Sequence, residues 1–388
     1  PLFFYAGTFW ETTLAAAFAV WAVDARLRGR DVSSGLLFGL AILFREEACL
    51  AALCLGAAFL LFRPKPFRAH VLFAVGVAIP ALALGARNLH VYGHVLGFHG
   101  AAYQSGFGDP ALAYFLYWLR FDAWDPEALW SVRIWLFPIA LLPIAGLFRG
   151  GRRAKTCLLC LCMVSWAVLY WRLLRNPEIV RFAGWNVGLL SSSPLLAGAF
   201  LCARDLLTRG PRALRALTLF ALLYCVALPP VLTQADIGVI WGPRHFLPVA
   251  PMLLLASFEG IRRLGLLRGR RRAIPAGLFL CALLHSAADE TALFRQARDA
   301  EQASRELARA TEDVVLTDVF FLPEMTPQLW GRRRFLYVRS DAELPRALEA
   351  IRRSGERRVG AVRAPGGEWG AVESRGVGGA GGGRRGGG

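Results

Sequence analysis

Residues 43–50 read LFREEACL, and Arg45, Glu46 and Glu47 at their centre interrupt a run that is otherwise uncharged from Ser34 to Phe62. Three ionisable side chains at the depth of a bilayer are costly unless they pair or face a polar cavity. The flanking segments, Ser33–Phe44 and Ala48–Phe62, fall short of the ~30 Å of hydrocarbon when each residue rises ~1.5 Å. Their outer ends, RLRGRD (26–31) and RPKPFR (63–68), are both basic. The simplest arrangement is a pair of short helices that turns at Arg45-Glu46-Glu47 and opens there to water, with both basic ends on the other side.

The rest of the chain extends this reading. It is 55% hydrophobic with only 19% charged residues, and its mean hydropathy is +0.42. Apolar runs recur at Leu2–Val23 (with Glu11 inside), His70–Ala86, Leu129–Phe148, Thr156–Trp171, Trp185–Cys202, Ala216–Leu232, Phe246–Ile261 and Ile274–Ala288. The expectation is an all-α polytopic membrane protein of about 8 full spans plus the pair of short helices. A net charge of +17 would suit nucleic acid, but the basic residues sit in clusters between apolar runs, which is a topology signal. Loops 26–31, 63–68, 149–155, 204–215 and 262–272 hold 20 Lys and Arg. The opposite loops and their edges hold Arg87, Arg120, Arg133, Arg172, Arg175, Arg181 and Arg244, besides Arg45 in its turn. The positive-inside rule puts the five basic loops in the cytoplasm and the LFREEACL turn outside it, in the plasma (inner) membrane of its cell. Between the runs His70–Ala86 and Leu129–Phe148, ALAYFLYWLRFDAW (111–124) has the one-sided apolar spacing of an interfacial helix.

The chain begins at Pro1 and its first Met is Met163, so it is expected to be a fragment whose first spans are missing. All eight Cys lie in apolar runs, and Cys157, Cys160 and Cys162 have no His or carboxylate beside them. They read as small buried hydrophobes, giving neither a disulfide framework nor a zinc site.

Residues 1–288 thus form a transmembrane domain, and from Asp289 the character changes. A polar helix (293–312), strands at DVVLT (313–317), RRFLYV (333–338) and RVGAV (358–362), and a helix at 342–354 outline a small α/β extracytoplasmic domain over 289–363. Asp318 reads as a helix cap. Residues 364–388 are Gly-rich and expected to be disordered.

The extracytoplasmic ends collect Glu11, Arg45, Glu46, Glu47, Arg87, Asn88, His94, His99, Arg244 and His245. Arginines grip phosphate through a planar fork, while Glu or His orients hydroxyls or moves protons. Such a set suits an anionic, hydroxyl-rich substrate. A plainer reading makes Arg45 and Glu46 or Glu47 a structural ion pair, and His94 and His99 ordinary loop residues.

Three stretches carry a resemblance: TFWETTLAAA (8–17) followed by GLLFGLAILFREEACLAAL (35–53), RNLHVYGHVLGFH (87–99), and WGPRHFLPVAPMLLL (241–255). In this order, with the C-terminal α/β domain, they resemble the GT-C superfamily of integral-membrane glycosyltransferases. The nearest branch is that of the bacterial protein mannosyltransferases and aminoarabinose transferases (glycosyltransferase family 39-like). The resemblance implies transfer of a sugar, with inversion, from a polyprenyl-phosphate donor to a glycan, lipid or protein acceptor at the extracytoplasmic face. It implies a catalytic Asp in a loop upstream of Pro1, so the fragment itself is expected to be inactive. It also gives Arg244 the leaving phosphate, and Glu11, Arg45 and Glu46 the walls of the cavity. His245 stands where many relatives have Tyr. No cofactor follows from these residues; a divalent cation is the one candidate, without assigned ligands. A transporter or flippase for an anionic or glycosylated lipid, or a membrane scaffold, stands as the alternative; no internal repeat favours the former.

Overall fold

Ala-, Leu- and Gly-rich runs without strand-like alternation build helices whose contacts are made by small residues. The computed structural model describes residues 11–62, 65–95, 118–119, 126–148, 150–175, 188–230, 244–309, 313–317, 329, 332–338, 343–354 and 359–362. Helices α1 (Glu11–Leu27), α2 (Asp31–Phe44), α3 (Ala48–Phe62) and α4 (Phe67–Tyr92) come first, then α5 (Pro126–Leu147) and α6 (Arg152–Arg175). Short pieces follow: α7 (Leu189–Ser192), a 3₁₀ turn (Pro194–Leu196), α8 (Ala197–Leu201) and α9 (Ala203–Arg209). Then come α10 (Arg212–Ala227), a 3₁₀ segment (Arg244–Val249), α11 (Ala250–Arg263), a second basic 3₁₀ turn (Gly269–Arg272) and α12 (Ala273–Arg309).

Helices α2 and α4 touch backbone to backbone. A Cβ added at Gly76 would lie 2.7 Å from the Val32 carbonyl oxygen and 2.9 Å from the Leu36 nitrogen, so only glycine fits. Gly35 meets Gly76 from the other side, and Gly39 is filled by the Pro80 ring. Gly35 and Gly39 form a small-xxx-small pattern, which lets two helix backbones approach closely. Helix α4 stops where Gly93 takes the left-handed conformation, φ +68°, and its N–H bonds back to the Leu89 carbonyl.

The two ends of α2 carry different chemistry. At its start Arg26, Asp31 and Lys65 pair; at its finish lies Arg45. The basic loops gather at the Asp31 end. Arg215 stacks on Phe62 (4.3 Å), Lys155 pairs with Asp205 (3.2 Å), and Arg263 donates to the Asp205 carbonyl (3.0 Å).

The described chain is mostly helical with a small parallel sheet. Two of its helices, α4 and the Arg152–Arg172 part of α6, are long and apolar enough to cross a membrane. Helices α2, α3 and Ile134–Leu147 are apolar but shorter. Two expected elements differ from the sequence reading. The single crossing expected at Trp185–Cys202 is, from Gly188 on, broken into α7, a 3₁₀ turn and α8. Pro194 has no N–H and forces Ser193 out of the helical region (φ −132°, ψ 70°), while the Ser191 hydroxyl donates to the Gly188 carbonyl at 3.0 Å. In contrast, the crossing expected at Ile274–Ala288 and the polar helix after it are one helix, α12. Nothing between Gly277 and Arg309 breaks it. Of the interfacial helix expected at 111–124 only Trp118 and Leu119 are described, and the WGP of 241–243, Asp318 and the tail lie outside the described residues.

The chain divides into two compact units at Glu290/Thr291. The second contains the end of α12, strands β1 (Val314–Thr317), β2 (Arg334–Tyr337) and β3 (Val359–Val362), and helix α13 (Leu344–Arg353). The strands are all parallel in the order β2-β1-β3. Central β1 buries both faces, as its unalternated VVLT requires. Val314 and Leu316 pack with Val338, Ile351 and Val359, whereas Val315 packs with Leu307 and Leu329.

Candidate functional site

The α2–α3 turn positions the charges. Arg45 leaves the helix in an extended conformation (φ −147°, ψ 116°) with its N–H on the Ala41 carbonyl. The carbonyls of Arg45 and Glu46 then accept from Ala48 and Cys49, both at 3.0 Å, so Glu46 and Glu47 stand at the start of α3. Carboxylates are favoured there by the helix dipole.

One oxygen collects three groups. Arg45 donates to Glu47 Oε1 from Nε at 3.0 Å and from Nη2 at 2.5 Å. His245 donates to the same oxygen through Nδ1, which lies 2.9 Å from Arg45 Nη2. His245 reaches Glu47 across 198 residues of sequence. It is buried on the Arg244–Val249 segment, which is fixed when the buried Tyr224 hydroxyl donates to the His245 carbonyl at 2.9 Å. Phe246 stands edge-on to the Tyr224 ring. Burial by itself pushes the Glu47 carboxyl up, but the hydrogen bond and charge of His245 and the Arg45 guanidinium outweigh it. They hold the carboxyl well below the usual carboxylate range.

Beside this cluster opens a cavity of about 210 Å³ lined by Arg45, Glu46, Glu47, Arg87, Asn88 and Tyr92. Ligand pockets commonly measure ~300–1,000 Å³, so this one suits a phosphate or a single sugar rather than a whole lipid-linked donor. Arg87 is exposed at the cavity, whereas Asn88 is buried and donates to the Val95 carbonyl at 3.2 Å. The arrangement offers an exposed and a half-buried guanidinium together with a second carboxylate, Glu46. A phosphate could bind the first two, and a hydroxyl could bind Glu46.

Of the residues read from sequence, Arg45, Glu46, Glu47, Arg87 and Asn88 come together at the cavity, with His245 behind Glu47. His94 follows Gly93 at the end of α4, is half-buried and is not among the lining residues. Glu11 begins α1 and Arg244 begins the 3₁₀ segment; the side chains of both, and all of His99, lie outside the described residues. Sequence reasoning missed Tyr92 and Tyr224. Tyr92 carries a signal, its position four residues after Asn88 on the same helical face. Tyr224 sits in an apolar run and carries none.

Among the described residues no three His, Cys, Asp or Glu side chains converge to hold a metal ion. A divalent cation fits this cavity poorly, because Glu47 is committed to Arg45 and His245 and Glu46 is the remaining carboxylate of the lining. Comparison of the chain with protein-family models, curated proteins and solved structures finds no match.

Proposed function

We propose that the chain is part of an integral-membrane glycosyltransferase of the GT-C type. It moves a sugar, with inversion, from a polyprenyl-phosphate donor to an acceptor at the extracytoplasmic face. The observation that carries this reading is the cavity at one end of α2, lined by Arg45, Glu46, Arg87 and Asn88, while the basic loops gather at the other end.

The membrane part of the reading rests on exposure. In α4 only 17% of the most apolar window is buried, and in α6 only 39%, so neither behaves as the core helix of a water-soluble domain. Val71, Val75, Ile79 and Leu82 form an exposed stripe along α4. In water such a stripe would drive association; in lipid it costs nothing. The Gly35–Gly76 contact and the broken backbone at Pro194 are also features that membrane bundles use. The several further crossings read from sequence belong to the same proposal.

In this mechanism Arg45 and Arg87, with Arg244, neutralise the phosphate that leaves as the glycosidic bond breaks. That electrostatic contribution is usually the largest available to such a reaction. Glu46 and Asn88 hold sugar hydroxyls. Glu47 and His245 fix Arg45 rather than touch substrate.

The test is release of polyprenyl phosphate by the full-length gene product in detergent, across a panel of polyprenyl-phosphate sugars. Release is expected with one class of donor and is expected to fall about 100-fold or more in Arg45→Ala and Arg244→Ala. Substrate-dependent flux in liposomes with no release from any donor would replace the transferase by a transporter.

A further inference from the structure

The far end of α2 holds a second charge cluster that the proposed transfer does not use. Arg26 is fully buried. Its Nη1 donates to Asp31 Oδ1 at 2.5 Å and to the Ala69 carbonyl at 2.9 Å, and its Nη2 lies 3.0 Å from His70 Nδ1. Lys65 Nζ donates to the same Asp31 oxygen at 2.6 Å and to the Arg26 carbonyl at 2.9 Å. The Phe73 ring covers the guanidinium at 4.7 Å.

The charges in this cluster do not balance. Arginine can only donate, so His70 Nδ1 is the acceptor and the ring is neutral with its hydrogen on Nε2. Among the described residues two cations therefore share one carboxylate, because the neighbouring Asp24 is taken by Arg28. Two buried N–H groups, Arg26 Nε and His70 Nε2, also have no acceptor among the described residues. A surplus positive charge calls for an anionic partner. Lys65 and Asp31 keep 13% and 12% of their side chains exposed, so the cluster is reachable from outside at Lys65. Arg30 and Arg68 beside it are exposed. Leu60, Leu61 and Phe67 expose 58%, 70% and 81% of their surface next to it.

We infer that this cluster is a binding site for the phosphate of an anionic lipid headgroup, contacted by Lys65. Arg26, itself held by His70, positions Lys65 from below, and the acyl chains lie on Leu60, Leu61 and Phe67. Basic pockets between membrane helices recognise such headgroups. The inference rests on the membrane reading but not on the transferase.

The test is the thermal midpoint of the full chain in nanodiscs of phosphatidylcholine alone or mixed with phosphatidylglycerol, and in detergent with and without inorganic phosphate. The anionic lipid is expected to raise the midpoint by about 3 °C or more. Lys65→Gln should lose at least half of this gain and Lys65→Arg should keep it. Should Lys65→Gln fail to fold, mass spectrometry of lipid retained by the wild-type chain reads the same preference, phosphatidylglycerol over phosphatidylcholine. Equal midpoints and equal retention in the two lipids overturn the site. A chain that does not enter nanodiscs, yet is stabilised by inorganic phosphate, would retain the anion pocket and overturn both the lipid and the membrane reading.

Discussion

Glu47 is the residue on which the candidate site turns, because one of its oxygens accepts from both Arg45 and His245. Removing one partner of a buried pair leaves the other charge uncompensated, which costs more than the pair contributes. Glu47→Gln is therefore expected to destabilise the protein by roughly 3 kcal/mol, read as a lowered thermal midpoint in detergent. His245→Phe, which keeps the ring's bulk and removes its donor, should cost less because Arg45 still compensates Glu47. The pH dependence follows from the same contacts. The folded carboxyl titrates below its ordinary value of 4.5, so its stabilisation is complete above about pH 4.5 and is lost as pH falls through the folded value. Wild type should lose midpoint steadily below pH 4.5, and Glu47→Gln should lose less over the same range. Parallel curves for the two proteins would remove Glu47 from the account.

The element scale is governed by how closely helices approach. Gly76→Val would put a branched side chain where even a Cβ lies 2.7 Å from the Val32 carbonyl oxygen, so α2 and α4 must separate. Overpacking of this kind costs about 1–3 kcal/mol. Because Arg45 at the end of α2 and Arg87 on α4 line the same cavity, the cost should reach the site. Size-exclusion profiles should broaden and any donor release should fall together with stability. Gly93→Ala, strained only by its positive φ, should cost about 1 kcal/mol and leave the profile sharp. Much at this scale is legible in the sequence. The turn at Arg45-Glu46-Glu47, the strands DVVLT and RRFLYV, and the helix at 342–354 all follow from charge placement and apolar period. The break at Ser193-Pro194 is written there too, but a long apolar run masks it. The pairing of Glu47 with His245 is not legible, since it depends on a Tyr224 hydroxyl reaching the His245 carbonyl through tertiary packing.

At the scale of the molecule the question is which way the first unit faces. Helix α2 spans about 21 Å at 1.5 Å per residue, enough to keep the Arg26–Asp31–Lys65 cluster and the Arg45–Glu47–His245 cluster apart. The first has the basic loops around it, through Arg215 on Phe62, and under the proposed membrane reading the positive-inside rule makes that end the cytoplasmic one. On the same proposed reading the two clusters face opposite sides of the bilayer, and the cavity is reached from the extracytoplasmic side. Single cysteines introduced into a cysteine-free chain test this directly. Gly150→Cys and Gly269→Cys mark the basic end, and Val95→Cys marks the loop after Asn88; all three positions are exposed. A membrane-impermeant maleimide applied to intact cells should label Val95→Cys and leave the other two unmodified until the membrane is opened. Labelling of all three in intact cells would break the link between the basic loops and the cytoplasm. Protection of Val95→Cys with labelling at the basic end would invert the protein, putting the cavity where an extracytoplasmic donor cannot enter it.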